Sequence, residues 1–430
     1  MSLIYNAVFD KNTRKLAFED KAGNEIYSCT IPERTPMVDD ITKPLTFKAT
    51  QNGSTVKLTK YGSPTGDFQT SRDGGNTWTD YTLDTAITLN TGEEVSFRAK
   101  SDRSKQSVFY YFYFMMEGKI EAWHNVMSLY RTNDFATYDT VPLEAFTNLF
   151  KGCTSLTKAP DLPATTTLAE GCYSAMFRGC TSLTKAPALP ATPLASNCYS
   201  SMFMDCTSLT EAPALPATTL VESCYFQMFR GCTSLTKAPA LPATTLNRSC
   251  YSSMFEGCTS LTEAPALPVT TLEQYCYSNM FNGCTSLVKA PALPATTLAD
   301  YCYQYMFNGC TSLVKAPALP ATTLAQKCYS GMFKGCTSLT KAPELPEATL
   351  ANYCYSSMFY GCSSLNEVSC RMPSTISTED IPKYTGDGSS TSTSPWLEGV
   401  SSTGTFYTNA DANWPSGASG IPTSWTRVNT

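Results

Sequence analysis

The chain has 430 residues and a formal charge of −5. That length exceeds one ordinary core, so two or more folding units are expected, one of them an array that grows by addition. No run of Lys or Arg supplies the basic field that holds a phosphate backbone, so nucleic acid is excluded as a partner.

The longest apolar run, Val108 to Met116, has nine residues. A bilayer span needs about 18, so no transmembrane segment is expected, and the alternating aromatics suit a core strand. The first residues, MSLIYNAVFDKNTRK, show neither a basic start with an apolar stretch nor a small-residue cleavage site, so no secretion signal is expected.

In chain order, residues 1–40 read as a hairpin or anchor segment turning at Lys21-Ala22-Gly23-Asn24. Residues 41–118 read as an all-β, sandwich-like module: LTFKAT, TVKLTK, DFQTS, AITL and VSFRAK are strand-like runs between Gly, Pro, Asn and Asp turns. Within it, Ser71 to Trp78 matches the pattern S-x-D-x-G-x-T-W, the Asp-box, and resembles hairpin turns of sialidases and other β-propellers. It occurs once, without a propeller's length of β-sequence or a set of arginines for a sugar carboxylate, so it is read as a structural turn. Residues 119–152 are expected to cap the array that follows. They hold His124, the single histidine, around which alone any His-centred triad or metal cluster would have to be built.

From 153 to 370 the sequence repeats. CTSL begins at Cys153, Cys180, Cys206, Cys232, Cys258, Cys284, Cys310 and Cys336, and recurs as CSSL at Cys362, with a period of 26 after a first step of 27. A period between about 20 and 29 residues is that of leucine-rich repeats, each supplying a strand and a helix or helical turn. The segment around Leu209 to Ala212 alternates as a half-buried strand, cut short by Pro213 and Pro216. A helix is then expected, capped by Thr219 with Glu222 and, in other repeats, by Thr167/Glu170, Thr271/Gln274 and Thr323/Gln326. On a wheel, Leu168, Cys172, Tyr173, Ala175, Met176 and Phe177 share one half, while Glu170, Gly171, Ser174 and Arg178 face outward. The expected fold is an α/β leucine-rich-repeat solenoid of about eight strand-helix repeats. Strands about 4.8 Å apart and helices 8 to 10 Å apart would bend it into an arc. Residues 371–430 complete it: a Gly/Ser/Thr-rich connection from Ser374 to Ser394, then a cap built on Trp396, Phe406, Trp414 and Trp425.

Seventeen of the nineteen cysteines are the two fixed positions of the repeat, and no C-x-x-C spacing exists to chelate zinc. They are expected to be buried thiols, with occasional bridges between neighbouring repeats as the alternative and at least one thiol unpaired by the odd total, and with no metal and no cofactor. The Lys/Glu row (Lys158, Lys185, Glu211, Lys237, Glu263, Lys289, Lys315, Lys341, Glu367) is read as a solvated, salt-bridging ladder. No acid/base or nucleophile constellation appears, so catalytic residues are not expected and the chain is read as a non-enzymatic binding protein. The candidate ligand-binding residues are tyrosines on the outward face of the later repeats: Tyr275, Tyr301 and Tyr353 at one equivalent position, with Tyr305 and Tyr360 nearby and Phe226 an isolated earlier case. On helices one repeat apart they would stand about 8 to 10 Å from one another.

The phrase MFxGCTSLTKAPALPATTLAxxCYSxMF resembles the BspA-like leucine-rich-repeat proteins of anaerobic gut bacteria, and the tail from Trp396 to Trp425 looks like their C-terminal closure. The resemblance covers the array and its cap. It implies a surface-displayed adhesion or recognition protein whose partner is a cell-surface glycan or protein, with no catalytic residues to carry over. Phages of such bacteria carry similar modules. A second placement is therefore a virion structural protein, a tail or head fibre or decoration, with the solenoid as receptor-binding element or spacer. The N-terminal module would then join a second copy or the virion. The extracellular surface is expected in both placements, bacterial in one and viral in the other.

Overall fold

The computed structural model describes residues 6–10, 15–19, 22, 25–30, 40–62, 67–102, 111–163, 167–189, 193–371, 373, 375–386, 396–410, 412, 414–417 and 420–430. The chain divides into two compact units, residues 1–39 and 40–430. The first contains an antiparallel sheet of β1 (Asn6–Asp10), β2 (Lys15–Glu19) and β3 (Glu25–Thr30), in that order. Of the turn expected at Lys21 to Asn24, Lys21, Gly23 and Asn24 lie outside the described residues.

The second unit begins with two facing sheets. One contains β4 (Thr46–Ala49), β6 (Phe68–Ser71), β7 (Thr79–Tyr81), β9 (Glu94–Ala99), β11 (Ile120–Trp123) and β13 (Leu156–Lys158); the other contains β5 (Ser54–Lys60), β8 (Ile87–Leu89) and β10 (Phe112–Glu117). β10 takes in Phe112 to Met116 of the long apolar run; Val108 to Tyr110 lie outside the described residues. Alternation buries one face of each sheet, and Phe47 meets Phe114 across the gap with ring centroids 4.6 Å apart. The six strands run in the order β13-β11-β4-β9-β6-β7, with β11 pairing β13 in parallel. Since β13 belongs to the first CTSL unit, the module's sheet continues into the array, and Phe114 stacks on Phe150 of that unit at 5.5 Å.

The array corrects one central expectation. No helix follows the strand segment: residues such as Glu170 to Gly179 form a ribbon of successive turns, and among the described residues the one α-helix, α1, is Ile381–Thr385. The N–H groups alternate in destination. Cys172, Ser174, Met176, Arg178 and Cys180 donate to the carbonyl three residues back, whereas Gly171, Tyr173, Ala175, Phe177 and Gly179 donate to the next repeat, 25 residues on. Every fourth residue of the ribbon, here Gly171, Ala175 and Gly179, has a φ between 51° and 74°, the sign a type II turn requires at its third residue. The buried set Cys172, Tyr173, Met176, Phe177 and Cys180 therefore has period four, which a helical wheel accepts just as well. The proposed capping threonines cap nothing. Thr167 lies in β14 (Thr167–Leu168), paired with β12 (Thr140–Val141), while Thr219, Thr271 and Thr323 bridge Thr245, Thr297 and Thr349 of the next repeat.

Without helices, the wedge expected to bend the array is gone. Neighbouring buried tyrosines from Tyr173 to Tyr355 stack with centroids 5.8 to 6.3 Å apart. The phenylalanines from Phe150 to Phe359 follow at 5.3 to 5.8 Å. The strand segments are equally lean: between β13 and β15 (Lys341–Leu345) the described residues pair as isolated bridges such as Lys237 to Glu263. The far end is closed by a parallel sheet of β15, β16 (Glu367–Cys370), β17 (Thr405–Thr408) and β18 (Thr426–Asn429). There Trp396 takes the aromatic place of a further repeat, 5.9 Å from Phe359, and Trp414 stacks on it at 5.3 Å. Of the connection from Ser374 to Ser394, Ser374 and residues 387–394 lie outside the described residues.

Leu261 is fully buried between repeats. Leu261→Ala is expected to cost about 2 to 5 kcal/mol, and Arg248→Ala, at an exposed site, less than about 0.5 kcal/mol, by urea denaturation. A second substitution tests the ribbon itself. Gly309 has φ +69°, and a Cβ there would sit 3.8 Å from the Gly283 backbone, an ordinary contact. Gly309→Ala is therefore expected to cost about 1 to 2 kcal/mol through backbone conformation alone; a neutral effect would contradict the left-handed assignment.

Candidate recognition surface

The ribbon offers two left-handed positions per repeat before its closing residue. At the first stand Ser223, Ser249, Tyr275, Tyr301, Lys327 and Tyr353; at the second, Gln227, Ser253, Asn279, Tyr305, Gly331 and Ser357. Tyr275 and Tyr301 stack with centroids 4.6 Å apart and planes 18° apart. This corrects the spacing of 8 to 10 Å, which belonged to helices. Each ring covers one face of the other, so the pair presents rims and hydroxyls. Burial, then the neighbouring Tyr301, raises the Tyr275 hydroxyl above its ordinary pKa.

Lys327 continues the column, its ammonium 5.8 Å from the Tyr301 ring and 5.5 Å from that of Tyr353. The structure thus joins Tyr275, Tyr301 and Tyr353 into one row through a lysine that the reading of aromatics alone passed over. Its signal was available, because it stands 26 residues from both neighbours. Tyr305 belongs to the adjacent column and lies over Gly331, where any Cβ would overlap its ring. Tyr360 lies in a third column, with the Lys334 ammonium 5.0 Å from its ring. All five tyrosines are half-buried.

The strand segments present a second strip. Successive Ala-Pro-Ala-Leu-Pro stretches enclose shallow grooves between repeats, of about 790 Å³ between the Glu263 and Lys289 units and about 490 Å³ between the Lys289 and Lys315 units. Along their edge runs the Lys/Glu row. Lys185 pairs with Glu211 at 3.4 Å and Lys341 with Glu367 at 2.5 Å. Lys158 instead stands over the Trp123 ring at 3.8 Å.

The family description BspA type leucine rich repeat region matches in six copies over residues 144–287 and 277–385, more than half of the chain. The chain belongs to the BspA-type leucine-rich-repeat family. No curated protein and no solved structure matches it. Among the described residues, no helix is long and apolar enough to cross a membrane.

The remaining candidates of this BspA-type chain sit in structural roles. His124 is buried, and its Nδ1 accepts the backbone N–H of Asp40 at 3.0 Å. In the Asp-box, the carboxylate of Asp73 accepts the hydroxyls of Ser71 and Thr77 at 2.6 Å each, which hold its pKa well below the usual carboxylate range. Trp78 donates from Nε1 to the Gly75 carbonyl at 2.9 Å, closing the turn. No three of His, Cys, Asp and Glu converge as a metal site among the described residues.

The cysteines explain themselves by geometry. In each CTSL unit the thiol donates to a phenylalanine carbonyl of the preceding unit, as Cys258 does to Phe229 and Cys284 to Phe255, both at 3.1 Å. That carbonyl also accepts the N–H of its own unit's cysteine, Cys232 for Phe229, so both lone pairs are used. Burial pushes the thiols up, Cys258 and Cys310 to about 12 from 9.0. The sign follows: the fold favours the protonated thiol, so this stabilisation is complete below the unfolded value near pH 8.5 and is lost as pH rises towards 12. Each buried thiol contributes a slope of about 1.4 kcal/mol per pH unit across that window. Under reducing conditions, urea midpoints are expected to be flat from about pH 7 to 8 and to fall steeply above about pH 9; a flat profile to about pH 10.5 would refute the buried, protonated ladder.

Proposed function

We propose that this BspA-type protein is a non-enzymatic recognition protein of an extracellular surface, displaying the ribbon face of its later repeats to a cell-surface glycan or protein. The observation that carries this reading is conformational. Tyr275, Tyr301, Tyr305 and Tyr353 hold φ between 53° and 60°, at positions where earlier repeats place Gly, Ala, Asn, Ser or Gln. Bulky residues are rare in the left-handed region, and strain of about 1 to 3 kcal/mol per residue persists where function requires the side chain. Four such tyrosines in neighbouring repeats, with Lys327 among them, make a surface of aromatic rims, hydroxyls and one cation. Aromatic rings with polar tips suit both sugar hydroxyls and protein anchors. A binding role without catalysis agrees with a histidine held in the core and thiols far too basic to act as nucleophiles.

The thiol ladder favours a second reading, a virion protein assembled in a reducing cytoplasm, in which the array is a receptor-binding element or a spacer. An antibody to the array separates the two, labelling intact bacterial cells in the first and viral particles in the second. For the face itself, Tyr275, Tyr301 and Tyr353 are replaced together by Ser, and attachment to host cells and to a glycan panel is measured beside a circular-dichroism check of the fold. Attachment is expected to fall by about tenfold or more. Unchanged attachment with an intact fold moves recognition off the ribbon face.

A further inference from the structure

The Ala-Pro grooves carry an inference independent of the tyrosines. Because the repeats are nearly identical, a position that departs from the pattern stands out against its own neighbours. The residue before the Lys/Glu row is Thr157, Thr184, Thr210, Thr236, Thr262 and Thr340, but Val288 and Val314 in two adjacent repeats and Asn366 in the last. Three of these threonines turn the hydroxyl to the neighbouring strand, Thr157 donating to the Ile120 carbonyl at 3.0 Å, Thr210 to that of Thr184 at 3.2 Å and Thr262 to that of Thr236 at 3.4 Å. Val288 and Val314 give up that bond and stand 49% and 54% exposed, among the few large apolar side chains on the surface.

In the same two repeats the charge pattern also changes. Lys289 bridges Glu263 on one side and Lys315 on the other, and with Lys315 it sets like charges side by side; the ion pairs of the row among the described residues are Lys185 with Glu211 and Lys341 with Glu367. Like charges directly opposite destabilise a pairing, so this one is poised for an anion. Between the two repeats lies the groove of about 490 Å³, floored by Pro291, Ala292, Pro317 and Ala318. Its lining offers no side-chain hydroxyl or amide with which to read a sugar. It does offer main-chain donors: the N–H groups of Ala292 and Ala318 make no hydrogen bond within the protein among the described residues.

We infer that this groove binds an extended peptide segment in which one carboxylate is clamped between Lys289 and Lys315 and apolar side chains lie on either side of it. The carboxylate answers the paired ammonium groups, the flanking apolar residues cover the proline floor and, where the segment runs on into the adjoining groove of about 790 Å³, the exposed Val288 that lines it, and peptide carbonyls accept the alanine N–H groups. Extended backbone supplies acceptors at the regular spacing such a floor demands, as strand-adding peptides do at sheet edges.

The probe is a fluorescein-labelled peptide of the pattern Leu-Leu-Glu-Leu-Leu with soluble flanks, titrated with the full chain and followed by fluorescence polarisation. Its counterpart carries Gln for Glu. Saturable binding is expected for the acidic peptide, weaker by about tenfold or more for the Gln peptide and for the Lys315→Glu chain. Val288→Thr with Val314→Thr restores the residue of the other repeats, so the fold is retained, and is expected to weaken binding several-fold. The triple tyrosine variant is expected to bind the peptide as the unaltered chain does, which keeps this site distinct from the ribbon face. Equal binding of the Gln peptide, equal binding by Lys315→Glu, or no saturation up to about 1 mM would overturn the assignment. So would displacement of the peptide by an acidic oligosaccharide such as polygalacturonate at comparable concentration.

Discussion

Everything in the array depends on where alternate N–H groups of the turn ribbon go. In an α-helix each N–H finds its acceptor within the segment, and a neighbour is needed only for side-chain packing. Here half of the ribbon's donors, those of Tyr173, Ala175 and Phe177 and their equivalents, reach their acceptors only in the following repeat. A single unit would leave those groups to water and gain none of the backbone bonding that the stack supplies. Stacking is therefore a condition of the local backbone conformation as well as of the core. The same requirement explains why cysteine recurs: its thiol is small enough for the dense interior and still supplies one more donor to a phenylalanine carbonyl of the unit before it.

A stack built this way has exposed donors at one end and exposed acceptors at the other, and both ends are closed by something that imitates a repeat. At the start, Phe146 takes the tyrosine place and stacks on Tyr173 at 5.6 Å, while the Cys153 thiol donates to Phe114 of the β-module at 3.1 Å. At the finish, Gly361 donates to the Glu398 carbonyl at 2.7 Å, and Trp396, Glu398 and Gly399 occupy the ribbon places of one more unit. Indole area replaces the stacked phenyl and phenol rings, and Trp414 covers it in turn. Nearest-neighbour stacking of this kind makes interior units interdependent, so the effect of a core substitution spreads along the array rather than staying in its own repeat.

Much of this was legible in the residues. The 26-residue period, the leucine and aromatic core positions, the closing tryptophans and most strands of the β-module follow from spacing and alternation. The helix did not survive, for a physical reason: burial at Cys172, Tyr173, Met176, Phe177 and Cys180 recurs every four residues, and over two turns a period of four is hard to tell from 3.6. What distinguishes them is backbone chemistry. Gly, Asn, Asp and Ser fall at every fourth place, as at Asn197, Ser201 and Asp205, where a helix would place no such demand. The tyrosine spacing failed with the helix that defined it. Lys327 joins the tyrosine row only through the approach of its ammonium to the Tyr301 and Tyr353 rings, and Val288 and Val314 stand out only once their exposure is known, neither of which is a property of sequence spacing.

A repeat under such tight constraint sorts its own positions by freedom. The Cys, Tyr, Met, Phe and Leu places are fixed by the stack, and the closing glycine by its φ, so identity there reports only on folding. Freedom remains at the first two left-handed places and at the residue before the Lys/Glu row. At the left-handed places the fold prefers small or turn-forming residues, and before the charged row most repeats carry threonine, whose hydroxyl at Thr157, Thr210 and Thr262 bonds a carbonyl of the neighbouring strand. Tyrosine at the first kind of place and valine at the second both run against the local preference, and both departures concentrate between Val269 and Tyr360. Drift at free positions would favour residues the backbone accepts easily. Residues it accepts poorly, gathered in one stretch of an otherwise uniform array, are the feature on which the proposed recognition role rests.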